Sequence, residues 1–144
     1  MKSRIATQDL EEVVRLCYDL KMRVVKSGCR DVLNFGHTVG HAVELLFGIT
    51  HGRAVTIGMV KEAEIGETLG ILDKEFVADL RSSLSIENDL GFGVLQDFSC
   101  RFDEIMEIMQ LDKKNEDGKM VFSFNEEHPC VSLSVEEVTS HLSG

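Results

Sequence analysis

The feature that most constrains the fold is where the chain stops its own helices. Ser27-Gly28, Gly48 and Gly70 each follow a run of helix-forming residues with apolar positions at helical spacing, and glycine is the residue that most often terminates a helix. The runs between these stops predict helices from a cap at Thr7 or Asp9 to about Lys26, from His37 to Phe47, and from Arg53 to about Leu69. Asp73 caps a fourth, reaching Leu84. On the first, Leu10, Val13, Val14, Cys17, Leu20 and Val24 line one side. On the third, Glu62, Glu64 and Glu67 read as a solvated face. Asn88 to Phe98 holds Gly91 and Gly93, which weaken any helical reading there. Ser99 or Asp103 to Met109 is helical again, with Phe102, Ile105, Met106 and Met109 as core. Only after Asn115-Glu-Asp-Gly118 does the pattern turn extended. Lys119–Phe124 and Val131–Val135 read as strands, and Glu136–Leu142 as a short closing helix. Two short strands are too few for a sheet-based domain, so the expected class is mainly α: a multi-helix domain with a short C-terminal two-stranded β element.

A chain of 144 residues with 43% hydrophobic residues is expected to form one domain (1–144) with a real core. Its net charge of -10 argues against nucleic acid or an anionic membrane as partner. No apolar run approaches membrane-spanning length, and the N-terminal residues lack the apolar stretch of a secretory signal. The four cysteines, Cys17, Cys29, Cys100 and Cys130, show no paired spacing. They read as reduced thiols of a cytoplasmic protein.

Against this background, three of the five histidines fall within one short stretch, at His37, His41 and His51. His37 and His41 are spaced i, i+4, so a helix places both imidazoles on one face. His51 follows a Phe-Gly-Ile-Thr break and opens the next helical run, so a turn and a returning helix would bring all three together. Neutral imidazole is the commonest metal ligand and titrates near neutral pH. The spacing leaves two arrangements open: both His37 and His41 ligate a metal, or one ligates and the other contacts substrate. A zinc-protease motif is excluded, because Thr38 stands where that motif needs a glutamate.

The stretch Leu33-Asn-Phe-Gly-His-Thr-Val-Gly-His41-Ala-Val-Glu44, followed by His51-Gly-Arg-Ala-Val-Thr-Ile-Gly-Met-Val-Lys61, resembles the sugar-phosphate cyclases, and most closely the 3-dehydroquinate synthase family. Leu111-Asp-Lys-Lys-Asn-Glu-Asp-Gly118 is similar to that family's Asp-Lys-Lys segment. The resemblance runs from about Leu10 to the end of the chain. It implies a C-terminal, mostly helical, metal-binding domain, with the N-terminal NAD-binding domain absent; no glycine-rich strand-to-helix turn offers a dinucleotide site here. It also implies roles. His37 and His51 would bind a catalytic zinc, or another divalent metal, and His41 would contact substrate. Arg30 would hold a carboxylate or phosphate in its planar fork. Asn34 would hydrogen-bond a ring hydroxyl, cap the next helix, or do both. Lys113 or Lys114 would face the anionic substrate, and Lys21 matches a family lysine only at altered spacing. Together the resemblance implies Arg30, Asn34, His41, Lys113 and Lys114 for substrate chemistry and His37 and His51 for metal.

The chain departs from the family pattern at three points. The family's third zinc ligand, a glutamate upstream of the arginine, has no counterpart; Glu44, Glu62 and Glu64 are the local alternatives. The segment Val24-Val25-Lys-Ser-Gly-Cys-Arg30 is shorter than usual and lacks acids. Arg53 replaces the glutamate that usually follows the His-Gly pair, and a cation there disfavours metal unless a carboxylate compensates. Two functional readings follow. One is the metal- and substrate-binding half of a 3-dehydroquinate synthase, a carbon-oxygen lyase of the shikimate pathway acting on a sugar-acid phosphate. It would need NAD and an N-terminal nucleotide-binding domain from elsewhere, and would be inactive alone. The other is a non-catalytic binding or assembly domain of the same descent. A domain separated from its neighbour exposes apolar surface, so self-association into a homo-oligomer is expected.

Overall fold

The computed structural model describes residues 7–84, 97–112 and 117–142. Its elements are α1 (Thr7–Ser27), a 3-10 turn (Arg30–Asn34), α2 (His37–Phe47), α3 (His51–Thr68), α4 (Lys74–Ser83), α5 (Phe102–Gln110), β1 (Met120–Phe122), β2 (Val131–Leu133) and α6 (Val135–Leu142). The mainly α expectation holds. The two strands pair antiparallel with Val121 opposite Ser132. Residues 97–100 are helical ahead of α5; the rest of the uncertain Asn88–Phe98 stretch, through residue 96, lies outside the described residues.

The core forms where α2, α3, α5, the hairpin and α6 meet. Val43, Ile57, Ile105, Phe122 and Val138 are all fully buried in it. The expected apolar side of α5 is borne out, with Ile105, Met106 and Met109 buried. The hairpin is tied to α2 by Thr38, whose hydroxyl donates to the Val121 carbonyl at 2.8 Å. Ser134 and Glu137 cap α6 reciprocally: the Ser134 N–H donates to Glu137 Oε2 at 2.8 Å and the Glu137 N–H donates to Ser134 Oγ at 3.2 Å.

Helices α2 and α3 cross at glycines. A Cβ on Gly58 would overlap the Gly36 carbonyl oxygen and stand 2.6 Å from the Gly40 nitrogen. Gly40 therefore costs helix propensity but permits backbone-to-backbone approach. Gly36 is needed twice over, since its φ is +83° and its α-hydrogens face Met59 and the Val55 carbonyl.

Two expectations are corrected. Glu62 does not sit on a solvated face; it is completely buried. Of its companions, Glu64 is partly buried between Lys61 (3.2 Å) and Arg81 (3.1 Å), and Glu67 is half-buried. Nor does Asn34 cap α2. It ends the 3-10 turn, the N-cap is Gly36, and the capping acceptor is Glu62, as described below. By contrast α1 forms as expected, but Leu10, Val14, Leu16, Tyr18 and Leu20 along it are all exposed.

Candidate metal centre

The crossing of α2 and α3 decides where the histidines lie. His37 is the first residue of α2 and His51 the first of α3; His41 stands one turn along α2. The ring centroids are 5.5 Å apart for His37–His41, 5.4 Å for His37–His51 and 6.1 Å for His41–His51. Two imidazoles on one tetrahedral zinc, with Zn–N bonds of about 2.0–2.1 Å, have centroids roughly 5 Å apart. By separation, His37–His51 and His37–His41 are both close to that spacing.

Tautomers follow from the partners. His51 Nδ1 lies 2.8 Å from Glu44 Oε2, and His37 Nδ1 lies 3.3 Å from the Phe35 carbonyl oxygen. Both partners accept, so each contact is made with a proton on Nδ1. His41 Nδ1 faces Asp112 Oδ2 at 3.9 Å. Asp112 opens the Asp-Lys-Lys segment, so the structure brings the start of that segment beside the histidines. Lys113 and Lys114 themselves lie outside the described residues. A groove of about 570 Å³, lined by Thr38, His41, Leu45, Met109 and Asp112 among others, opens between α2 and the end of α5.

The carboxylates suggested as local third ligands are otherwise engaged. Glu44 holds His51. Glu64 pairs with Lys61 and Arg81. Glu62 accepts the Gly36 N–H at 2.7 Å and the Val39 N–H at 2.9 Å. Among the described residues, no three His, Cys, Asp or Glu side chains form a group able to hold a metal ion. Arg53 is exposed on the first turn of α3.

Of the other expected residues, Arg30 is exposed at the start of the 3-10 turn and Asn34 is half-buried at its end; Lys21 is exposed on α1. Next to Arg30, Asp31 accepts a 3.5 Å contact from Cys130 Sγ. Burial, and then Asp31, push that thiol above its ordinary range. All four cysteines are free. Glu62 and Thr38 were missed as site-building residues. The signal for Glu62 is present in retrospect: Ala54, Gly58 and Glu62 form one i, i+4 stripe, and small residues in such a stripe mark a buried face.

Residues 2–115 match the family described as 3-dehydroquinate synthase C-terminal. The chain belongs to that family. It is 37% identical over 139 residues to the 3-dehydroquinate synthase of Pyrococcus abyssi, covering 92% of this chain and 39% of that protein. With the 3-dehydroquinate synthase of Thermodesulfovibrio yellowstonii it shares 36% identity over 119 residues, 77% of this chain and 32% of the relative. The chain thus spans about a third to two-fifths of these relatives. In fold it is similar to a 2-deoxy-scyllo-inosose synthase solved with carbaglucose-6-phosphate, NAD+ and Co2+. That likeness has a TM-score of 0.73 at 22% identity and covers 94% of this chain and 41% of that one. Among the described residues, no helix is long and apolar enough to cross a membrane.

Proposed function

We propose that this 3-dehydroquinate synthase C-terminal domain is the metal- and substrate-binding half of a cytoplasmic 3-dehydroquinate synthase. The reaction is the NAD-dependent cyclisation of a seven-carbon sugar-acid phosphate with loss of phosphate. The observation that supports this most is the meeting of His37, His41 and His51 at the first turns of two crossing helices, with ring centroids 5.4 to 6.1 Å apart.

In this reading His37 and His51 hold a divalent metal, zinc by family resemblance. A metal so held supplies Lewis-acid chemistry at a substrate oxygen. The chain's other residues bind and orient. Arg30 clamps a carboxylate or phosphate, Asn34 hydrogen-bonds a hydroxyl, and Lys113 or Lys114 balances substrate charge. His41, with Asp112 beside its Nδ1, holds an anionic group or moves a proton. The Co2+ and NAD+ bound by the 2-deoxy-scyllo-inosose synthase of the same fold support a divalent metal and NAD as cofactors of the whole enzyme. Turnover therefore waits on a nucleotide-binding domain, and this chain alone is expected to be inactive. The engagement of Glu44, Glu62 and Glu64 favours an external third ligand. It also gives the second reading, a non-catalytic binding or assembly domain, its one specific support.

Zinc binding by calorimetry separates them, measured on the chain alone and with the separately expressed nucleotide-binding domain of a relative. Binding that appears or tightens with the added domain supports the half-enzyme; no binding in either case supports the assembly domain. His37→Ala and His51→Ala should each weaken zinc binding, and His41→Ala should largely spare it. Equal losses from all three would overturn the division of roles.

A further inference from the structure

Glu62 is the one acidic side chain that is buried among the described residues. A carboxylate in a protein interior is costly unless its oxygens are satisfied, and both are. Oε2 accepts the Gly36 N–H and Oε1 the Val39 N–H. These are the N-cap and third positions of α2, whose cap residue, being glycine, has no side chain to do the same work. An anion at a helix N-terminus is also favoured by the helix dipole.

The location gives this cap a consequence. The two amides flank His37. Gly36 precedes it in the left-handed turn that aims its ring, and the Phe35 carbonyl that fixes its tautomer lies in the same turn. Glu62 itself stands on α3, the helix that begins at His51. One carboxylate thus joins the first turn of the helix bearing His37 and His41 to the helix bearing His51. We infer that Glu62 is a positioning residue for the histidine centre, setting the angle and tautomer at which His37 meets His51. The inference rests on the proposed metal role of those two histidines.

The test compares Glu62→Gln with the unaltered chain. Glutamine keeps the volume but offers one acceptor oxygen, and turns an NH2 toward a backbone N–H that needs an acceptor. Imidazole 15N shifts report the His37 tautomer without any metal. Glu62→Gln is expected to shift the His37 ring nitrogens and leave those of His128, held by Asn125 in the loop between the strands, unchanged. Zinc affinity is expected to fall about tenfold or more, the scale seen when groups that orient metal ligands are altered. Should Glu62→Gln fail to fold, Glu62→Asp keeps both acceptors at shorter reach and should give a smaller shift of the same kind. Unchanged His37 nitrogens in a folded variant, or equal movement at His37 and His128, would overturn the inference. If zinc binds neither to the unaltered chain alone nor with the added nucleotide-binding domain, the metal reading fails while the ring measurement still decides the positioning role.

Discussion

Helices α2 and α3 meet along a face so close that a side chain at Gly36 or Gly58 would clash and one at Gly40 would be tight, and the interior side chains around it are fully buried. Helix α1 is longer than either, at 21 residues, yet it touches the remainder chiefly through the 3-10 turn that follows it, and Tyr18 is 62% exposed. The first region is held by constraints internal to the chain, while the second is amphipathic in sequence and uncovered. The difference teaches that the histidine centre sits on the self-sufficient part. Its geometry does not depend on whatever covers α1.

The sharpest way to break this contrast is to add one methyl group at the crossing. Gly58→Ala drives a Cβ into backbone atoms of Gly36 and Gly40, which cannot rotate away. A loss of about 4 kcal/mol is expected, beyond the usual range for overpacking because the clash is with backbone. Urea denaturation followed by circular dichroism measures it. A loss under about 1 kcal/mol would mean that the helices separate easily and that the crossing does not fix the histidines.

Removing Glu62 probes the same region through its hydrogen bonds. Glu62→Ala leaves the buried Gly36 and Val39 amides without their acceptor, and unmet buried donors cost about 1–3 kcal/mol each. A loss of about 3 kcal/mol is expected in the same denaturation assay.

For α1 the prediction is the opposite. Val14 is 61% exposed, so Val14→Lys should change stability by no more than about 0.5 kcal/mol. It should, however, reduce self-association in sedimentation velocity if the uncovered face is adhesive. A stability loss comparable to that of Gly58→Ala would show that α1 is buried in solution and would erase the contrast.

These regions also differ in how far they could be read from sequence. The stop of α2 was legible because Gly48 is a conformational signal written at the position itself. The convergence of the three histidines was legible from the i, i+4 spacing and the short break before His51. Glu62 was not. Three acids within six residues look like solvated surface, and what buries one of them is a contact 23 to 26 residues away. The apolar side of α1 was visible as periodicity, but periodicity reports a face and not what lies against it. Asn34 was a reasonable cap by residue type; the intervening 3-10 turn moved the helix start two residues beyond it.

The smallest effect contrasts a remote cap with a local one. Helix α2 is capped by Glu62 from another helix, whereas α6 is capped by its own Ser134-Val-Glu-Glu137 box. Hydrogen bonds from Ser134, first its backbone N–H and then its side chain, hold the Glu137 carboxyl below its ordinary value of 4.5, with Lys119 and His141 adding weaker attraction. Because the folded-state pKa is depressed, the associated stability is present above the unfolded value and is lost as pH falls through the folded one. Ser134→Ala should therefore lower the thermal midpoint slightly at neutral pH, and the gap from the unaltered chain should narrow once the pH drops below the ordinary carboxylate range. Melting curves across that range decide the matter. A gap that stays constant with pH would assign the cap to the serine hydroxyl alone, and a gap that widens in acid would reverse the sign of the linkage.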